Sequence, residues 1–307
     1  MIIQVDTSDT DTIKPFAKKL QMPRVDSHKG QNGKVMIIGG SSLFHSAIIW
    51  AADVASYFVD MVHIASTKEN NCIIKSIKTK WRNGIVISQK DISSYIEEDD
   101  VVMIGSGMMR GDKRRDMLNE PATLTDVLKI KDDSQKTYWL TKLLLHTHHD
   151  KKWVIDAGSL QVMEKDWLKK LDKPAVITPH AKEFQMLFGI EIQSLTESKK
   201  IEIVQDTAKR FNSIILLKSV YDIVSDGDST VVIRGGNAGL TKGGTGDVLA
   251  GTLASLYATN EPLLSSVIAS YLLKKTADVL YKEKGYWFNN QDIIPRISLV
   301  LNSLFKH

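Results

Sequence analysis

The segment Gly236–Gly251, GNAGLTKGGTGDVLAG, contains six glycines and then continues as an apolar run. Beyond Gly246, apolar side chains recur at helical spacing, which predicts that a helix begins here. The first main-chain N–H groups of a helix are unpaired and carry partial positive charge, and glycines before them let a ligand approach closely. The segment therefore predicts an anion site, usually one for phosphate.

Asp247 lies at the start of this predicted helix and needs its own explanation, because a carboxylate is repelled by phosphate. We interpret Asp247 as a general base that takes the proton of a hydroxyl attacking a phosphoryl group. The amides of Gly244–Gly246 would then hold the developing charge. The alternative is a simple helix N-terminal charge, which stabilises a helix by about 0.3–1 kcal/mol. The glycines upstream favour the interpretation as a general base at a phosphate site.

Short apolar or β-branched runs alternate with helical patterns, which is typical of a mostly parallel sheet with helices on both faces. Six strands are predicted, at Lys34–Ile38, Met61–Ala65, Val101–Ile104, Trp153–Ile155, Ala175–Ile177 and Ser213–Leu217. Ala47–Phe58 and Ser266–Tyr281 have helical patterns, and Asp222–Arg234 is predicted to form a hairpin. Since no repeat or linker divides the chain, we predict one α/β, doubly wound domain over residues 1–307.

Arg110–Lys152 is the one compositional departure, because it is rich in Lys, Arg and Asp and ends near HTHHD. We interpret it as a charged helix with loops, inserted at the surface. The adjacent histidines are more often a solvated loop than a metal site.

Composition bounds the class of partner. The net charge of +4 is small for 307 residues, which argues against nucleic acid as the main partner. The only cysteine, Cys72, excludes a disulfide framework. No export signal and no membrane-spanning apolar stretch are visible, so we expect a soluble cytoplasmic protein without a membrane partner.

Other glycine-rich segments are weaker signals. No GxxxxGK[ST] segment occurs, which excludes a P-loop enzyme. GSGMMRG, Gly105–Gly111, follows a strand but lacks the apolar helix that a dinucleotide-binding turn requires.

Several segments together resemble the NAD(P)H-hydrate dehydratases of the ribokinase-like superfamily. The specific motifs are GNAGLTKGGTGDVLAG and VITPHAKEFQMLFG, Val176–Gly189. Supporting segments are KGQNGKVMIIGGSSLFHSA, GSGMM, VIDAGSL, LLKS and FNNQDIIPRI. The likeness covers the chain from about Lys29, apart from the Arg110–Lys152 segment, and we expect no room for the epimerase domain that often accompanies this family.

The resemblance implies a repair reaction on hydrated NADH or NADPH. ADP or ATP, with Mg²⁺, phosphorylates the hydroxyl at C6 of the hydrated ring, and elimination of phosphate then restores NAD(P)H. The resemblance also implies a homo-oligomer.

Site residues follow from the resemblance by position. It implies Asp247 as the base on the hydrate. Ala47, Gly107 and His180 would line the hydrate pocket, Lys218, Gly244, Thr245 and Gly246 would bind the nucleotide, and Glu183 would hold Mg²⁺ through water.

Departures from the family pattern leave two alternatives open. Lys218–Asp222, KSVYD, replaces the usual KGxxT, and Gly158 replaces the second acid of DAD while Asp156 is kept. Ser46 and Ser106 stand where the family usually has glycine and proline. The alternatives are a small-molecule kinase of the same superfamily, such as a hydroxyethylthiazole-type kinase, and a nucleotide-binding protein without catalysis.

Overall fold

Ten strands form one sheet in a computed structural model that describes residues 2–111 and 120–305. They are β1 (Ile2–Asp6), β2 (Lys34–Ile38), β3 (Met61–Ala65), β4 (Ile85–Val86), β5 (Val101–Ile104), β6 (Lys152–Ile155), β7 (Ala175–Ile177), β8 (Ser213–Leu217), β9 (Asp222–Ser225) and β10 (Thr230–Arg234). The strand order is β1-β10-β9-β8-β7-β6-β5-β2-β3-β4. Only β9 runs antiparallel to its neighbours, so the prediction of a mostly parallel sheet is confirmed.

The predicted strands agree closely with the observed ones. Five of the six have the predicted bounds, and the sixth, β6, begins one residue earlier, at Lys152. The predicted hairpin is the antiparallel pair β9 and β10, whose turn contains Asp226 and Gly227. Runs of Val, Ile and Leu identify these strands because both faces of the sheet are covered.

Twelve helices lie in the described part of the chain. They are α1 (Lys14–Ala17), α2 (Ser46–Ala55), α3 (Lys68–Ser76), α4 (Ile92–Glu98), α5 (Leu124–Lys129), α6 (Asp133–Thr147), α7 (Ala157–Val162), α8 (Ala181–Phe188), α9 (Glu197–Phe211), α10 (Thr245–Thr259), α11 (Pro262–Lys284) and α12 (Asn290–Ser303). None of these described helices combines the length and the apolarity that crossing a bilayer requires.

The helices cover both faces of the sheet, as predicted. One buried core lies between the sheet and α1, α2, α10, α11 and α12, and a second lies between the other face and α4 to α9. The predicted helix Ala47–Phe58 corresponds to α2, which begins at Ser46 and ends at Ala55. Ser266–Tyr281 lies within the longer α11.

The interpretation of Arg110–Lys152 as a surface insert is wrong for its second half. Helix α6 forms part of the crossover between the neighbouring parallel strands β5 and β6, and Leu140, Leu144 and Leu145 are buried in the second core. Its charged residues cover the solvent side of an amphipathic helix, which a composition argument does not separate from a loop. Residues 112–119 of the segment lie outside the described residues.

The sheet order creates a crevice between β2 and β5. The chain leaves β2 toward β3 and β4, and then returns to place β5 on the other side of β2. Ligands of open α/β sheets bind beyond the carboxyl ends of the strands at such a switch point. The turns that follow β2 and β5, which contain Gly40 and Gly107, meet at this position, where an added Cβ on Gly107 would lie 3.3 Å from Gly40 Cα.

Candidate functional site

Helix α10 begins where the glycine-rich segment predicted it, with Gly244 as its N-cap residue. Gly244 has φ 92° and provides no side-chain cap. A Cβ added there would lie 2.2 Å from Asn290 Nδ2 and 2.8 Å from the Trp50 ring, so both backbone angle and space require glycine. The Thr245 amide donates to Lys242 O over 3.4 Å, and the next two amides of α10, those of Gly246 and Asp247, are left for a ligand, which supports the predicted anion site.

A cavity of about 560 Å³ opens beside this helix start, at the switch point. The turn after β2, the turn after β5, the start of α7 and the glycine-rich segment form its walls. The lining residues include Phe44, His45, Ala47, Trp50, Gly107, Met108, Arg110, Ala157, Gly158, Gln161, Gly243, Gly244 and Asp247. Three of the four residues assigned to the hydrate pocket, Ala47, Gly107 and Asp247, thus share one cavity.

The surroundings of the Asp247 carboxyl raise its pKa. Burial and the neighbouring negative charge of Asp156 raise its pKa to about 6, although the Lys218 ammonium acts in the opposite direction. A carboxylate with a pKa near working pH is a better general base than an ordinary aspartate. Because strong pKa perturbation in a cleft is typical of catalytic groups, this observation favours catalysis over a helix-end charge.

Lys218 lies at the centre of a group of carboxylates. Its Nζ atom is 2.9 Å from Asp156 Oδ1 and 3.9 Å from Glu183 Oε2. Burial favours the neutral amine, but the Asp156 and Glu183 charges outweigh it and raise the pKa of Lys218. A Cβ added to Gly246 would lie 3.6 Å from Lys218 Nζ, so the ammonium adjoins the start of α10. The structure therefore brings Lys218, Gly244 and Gly246 together.

The Thr245 side chain has a structural use. Its hydroxyl is buried and lies 2.8 Å from Leu240 O and 2.9 Å from Lys242 O. These contacts fix the turn before α10 and leave the hydroxyl engaged with main-chain carbonyls. The Thr245 amide is engaged in the same turn, where it donates to Lys242 O over 3.4 Å, and nucleotide binding by Thr245 remains a prediction.

His180 and Glu183 form a capping box at the start of α8. The Glu183 amide donates to His180 Nδ1 over 3.2 Å, and the His180 amide donates to Glu183 Oε2 over 3.0 Å. Glu183 is buried, and its Oε1 also accepts from Gln161 Nε2. His180 is not among the residues that line the cavity, so its contact with the hydrate remains a prediction.

Sequence reasoning missed several residues of this site. Asp156 was noted as a kept motif residue, yet it accepts hydrogen bonds from both Lys218 and Thr178. Its position directly after β6 is the sequence feature that could have identified it as a site residue. Trp50 both packs on the first core and lines the cavity. No sequence signal identified Gln161, because its importance depends on where α7 lies.

The donor set fits a magnesium ion that arrives with a nucleotide. Among residues 2–111 and 120–305, no three Asp, Glu, His or Cys side chains form a cluster that could ligate a metal by themselves. Mg²⁺ is usually held by one or two carboxylates together with substrate phosphates. Asp156, Glu183 and Asp247 surround a single lysine, so the site has excess negative charge that a cation would balance.

Comparisons with known proteins agree with this geometry. A family model described as NAD(P)H-hydrate dehydratase matches residues 35–298. The ADP-dependent (S)-NAD(P)H-hydrate dehydratase of Nitrosopumilus maritimus is 30% identical, and the match covers 98% of each chain. The bifunctional NAD(P)H-hydrate repair enzyme of Methanocaldococcus jannaschii is 33% identical over 92% of this chain but only 51% of its own length. The chain thus spans about half the length of the bifunctional relatives that it matches.

The fold has solved counterparts. A ribokinase-like superfamily protein from Enterococcus faecalis superposes with a TM-score of 0.77 at 20% identity, over 99% of this chain and 96% of that one. The ribokinase-like fold predicted from the resemblance is therefore confirmed.

Proposed function

Because the chain belongs to the NAD(P)H-hydrate dehydratase family, we propose that it restores NAD(P)H from its hydrate in a reaction driven by a nucleotide. The observation that carries the proposal is the position of Asp247, on the cavity wall and at the start of α10. The Asp247 carboxylate takes the proton of the C6 hydroxyl, and the hydroxyl oxygen attacks the terminal phosphorus of the nucleotide. The bond from that phosphorus to the rest of the nucleotide breaks.

Phosphate then leaves C6 of the phosphorylated ring. The ring nitrogen's lone pair supports cleavage of the C6–O bond, a proton leaves the adjacent ring carbon, and reduced nicotinamide is restored. The unpaired amides at the start of α10 and the Lys218 ammonium stabilise the negative charge on the transferred group.

Asp156 and Glu183 would hold Mg²⁺ beside the phosphates, with Glu183 acting through water. The metal would neutralise phosphate charge during transfer. The nucleotide donor is ADP or ATP, and ADP is the first to test because the Nitrosopumilus relative is described as ADP-dependent. Assembly as a homo-oligomer, implied by the resemblance, remains a prediction.

The test incubates purified protein with hydrated NADH or NADPH, Mg²⁺ and either ADP or ATP, and follows the return of reduced-nicotinamide absorbance. We expect stoichiometric return of absorbance with release of phosphate. A stable phosphorylated product would instead select the kinase alternative. Absence of any reaction with both nucleotides and both hydrates would exclude the dehydratase proposal.

A further inference from the structure

His45 is a lining residue of the cavity that none of the assigned roles uses. It lies in the turn after β2, directly before α2, and lines the same cavity as Ala47, Gly107 and Asp247. It occupies the N-cap position of α2, but its side chain makes no capping hydrogen bond. The ring is directed instead to Asn70, a fully buried residue on α3.

The orientation of the Asn70 amide is fixed by its surroundings. Asn70 Nδ2 lies 3.3 Å from Ser41 O and 3.3 Å from Phe44 O. Main-chain carbonyl oxygens only accept hydrogen bonds, so the atom facing them must be the amide nitrogen. Ser66 supports the same assignment, because its hydroxyl donates to Gly39 O and therefore accepts from Asn70 Nδ2.

This orientation in turn fixes the tautomer of His45. Asn70 Oδ1 lies 2.5 Å from His45 Nδ1 and can only accept, so Nδ1 carries the hydrogen. In the neutral imidazole, the other nitrogen, Nε2, then has a free lone pair. No described residue forms a hydrogen bond with Nε2, which leaves this nitrogen for a ligand in the cavity.

We propose that His45 binds the hydrate, with Nε2 accepting a hydrogen bond from one of its N–H or O–H groups. The inference rests on the proposed function and extends it by naming a further substrate contact. Besides the reacting hydroxyl, the nicotinamide riboside half of the hydrate offers two kinds of donor, the carboxamide N–H and the ribose hydroxyls. A carbonyl or phosphate oxygen would find no donor at this nitrogen.

Two substitutions of His45 separate this role from a structural one. In His45→Asn the amide nitrogen can occupy the place of Nδ1 and keep the bond to Asn70, but no atom remains at the place of Nε2. In His45→Gln the longer side chain can put an acceptor near the place of Nε2 and loses the bond to Asn70. We expect His45→Asn to raise the KM for the hydrate about tenfold, the effect of one buried hydrogen bond. His45→Gln should recover most of the loss, and neither should change the KM for the nucleotide.

The inference would be overturned if His45→Gln raised the KM for the hydrate more than His45→Asn does. If His45 only anchored the turn to Asn70, His45→Asn would behave as wild type and His45→Gln would be the damaged variant. His149→Asn is the matched control, because His149 is exposed and contacts Asp172 on the surface. Wild-type protein without dehydratase activity would overturn the proposed function, whereas active wild type with an unchanged His45→Asn variant would overturn this inference alone.

A modified substrate distinguishes the two donors. The hydrate of reduced 3-acetylpyridine adenine dinucleotide lacks the carboxamide N–H. If that group is the donor, the KM of wild type rises with this substrate and His45→Asn adds nothing further. If a ribose hydroxyl is the donor, the tenfold difference between the two proteins persists. Equal KM values for both proteins with both hydrates would contradict either contact.

Discussion

Two buried clusters of carboxylate and ammonium groups adjoin the loop after β8, and they differ in charge balance. The site cluster consists of Asp156, Glu183, Lys218 and Asp247, with three carboxylates around one ammonium. The support cluster consists of Asp222, Ser270 and Lys274, with one carboxylate and one ammonium 3.4 Å apart.

The support cluster satisfies its polar atoms within the protein. Asp222 Oδ1 accepts from the Ser219 amide over 2.9 Å, and Asp222 Oδ2 accepts from Ser270 over 2.7 Å. Lys274 Nζ donates to Val220 O over 3.0 Å. These bonds hold the loop Lys218–Asp222, in which the sequence departs from the family pattern.

Burial, together with the uncompensated negative charge of the site cluster, raises the pKa of Asp247 to about 6. An ionised, buried carboxylate without a full partner destabilises the fold but is available for chemistry. The comparison indicates that charge balance distinguishes a cluster that stabilises from one that reacts. The three predictions that follow test this distinction.

Asp247→Asn should produce the largest effect of the three substitutions, a loss of catalytic rate. Loss of the general base should lower kcat by about 10²–10⁴-fold while nucleotide affinity is kept. Since the folded-state pKa of about 6 exceeds the ordinary value of 3.8, ionisation of Asp247 destabilises the native protein, increasingly as pH rises from about 4 to 6 and fully above pH 6. The substitution should therefore also stabilise the fold at neutral pH, by up to about 3 kcal/mol. Kinetics, nucleotide titration and chemical denaturation measure the three quantities, and an active variant would contradict the assignment.

Lys274→Met should lower the stability of the fold, whereas Asp247→Asn should raise it. Removing the ammonium leaves the Asp222 carboxylate buried without its ionic partner, which costs about 3–5 kcal/mol. Denaturant unfolding measures the loss. Combining it with Asp222→Asn should restore part of the stability, because the unpaired charge is then gone. A single variant as stable as wild type would show that this cluster does not support the loop.

Asp156→Asn tests the charge coupling through the pH profile, and the expected pKa shift is the smallest of the three measured changes. Asp247 must be ionised to act, so kcat/KM of the wild type should fall as pH drops through about 6. Asp156 is one cause of the raised pKa, so its neutralisation should move this acid limb to lower pH, whatever the plateau rate. Asp166→Asn, which removes an exposed acid, is the control for net charge. An unmoved limb would contradict the coupling between the two carboxylates.

The sequence predicted local structure well where one physical signal dominated. The strands next to the site are short runs of β-branched and apolar residues, because both sheet faces are buried. The start of α10 was visible from its glycines and from the apolar spacing that follows. The surface interpretation of Arg110–Lys152 was wrong for α6, since composition reports charge but not the face on which it lies.

The sequence by itself determined the class of fold, and it predicted the anion site at the start of α10 and Asp247 as the candidate base. Those properties depend on backbone freedom and side-chain periodicity, which neighbouring residues set. Only the tertiary structure determined that Asp156 lies beside Lys218 and that Asn70 fixes the tautomer of His45. The pKa of a carboxyl and the free lone pair of an imidazole depend on groups distant in the chain, and only folding brings those groups together.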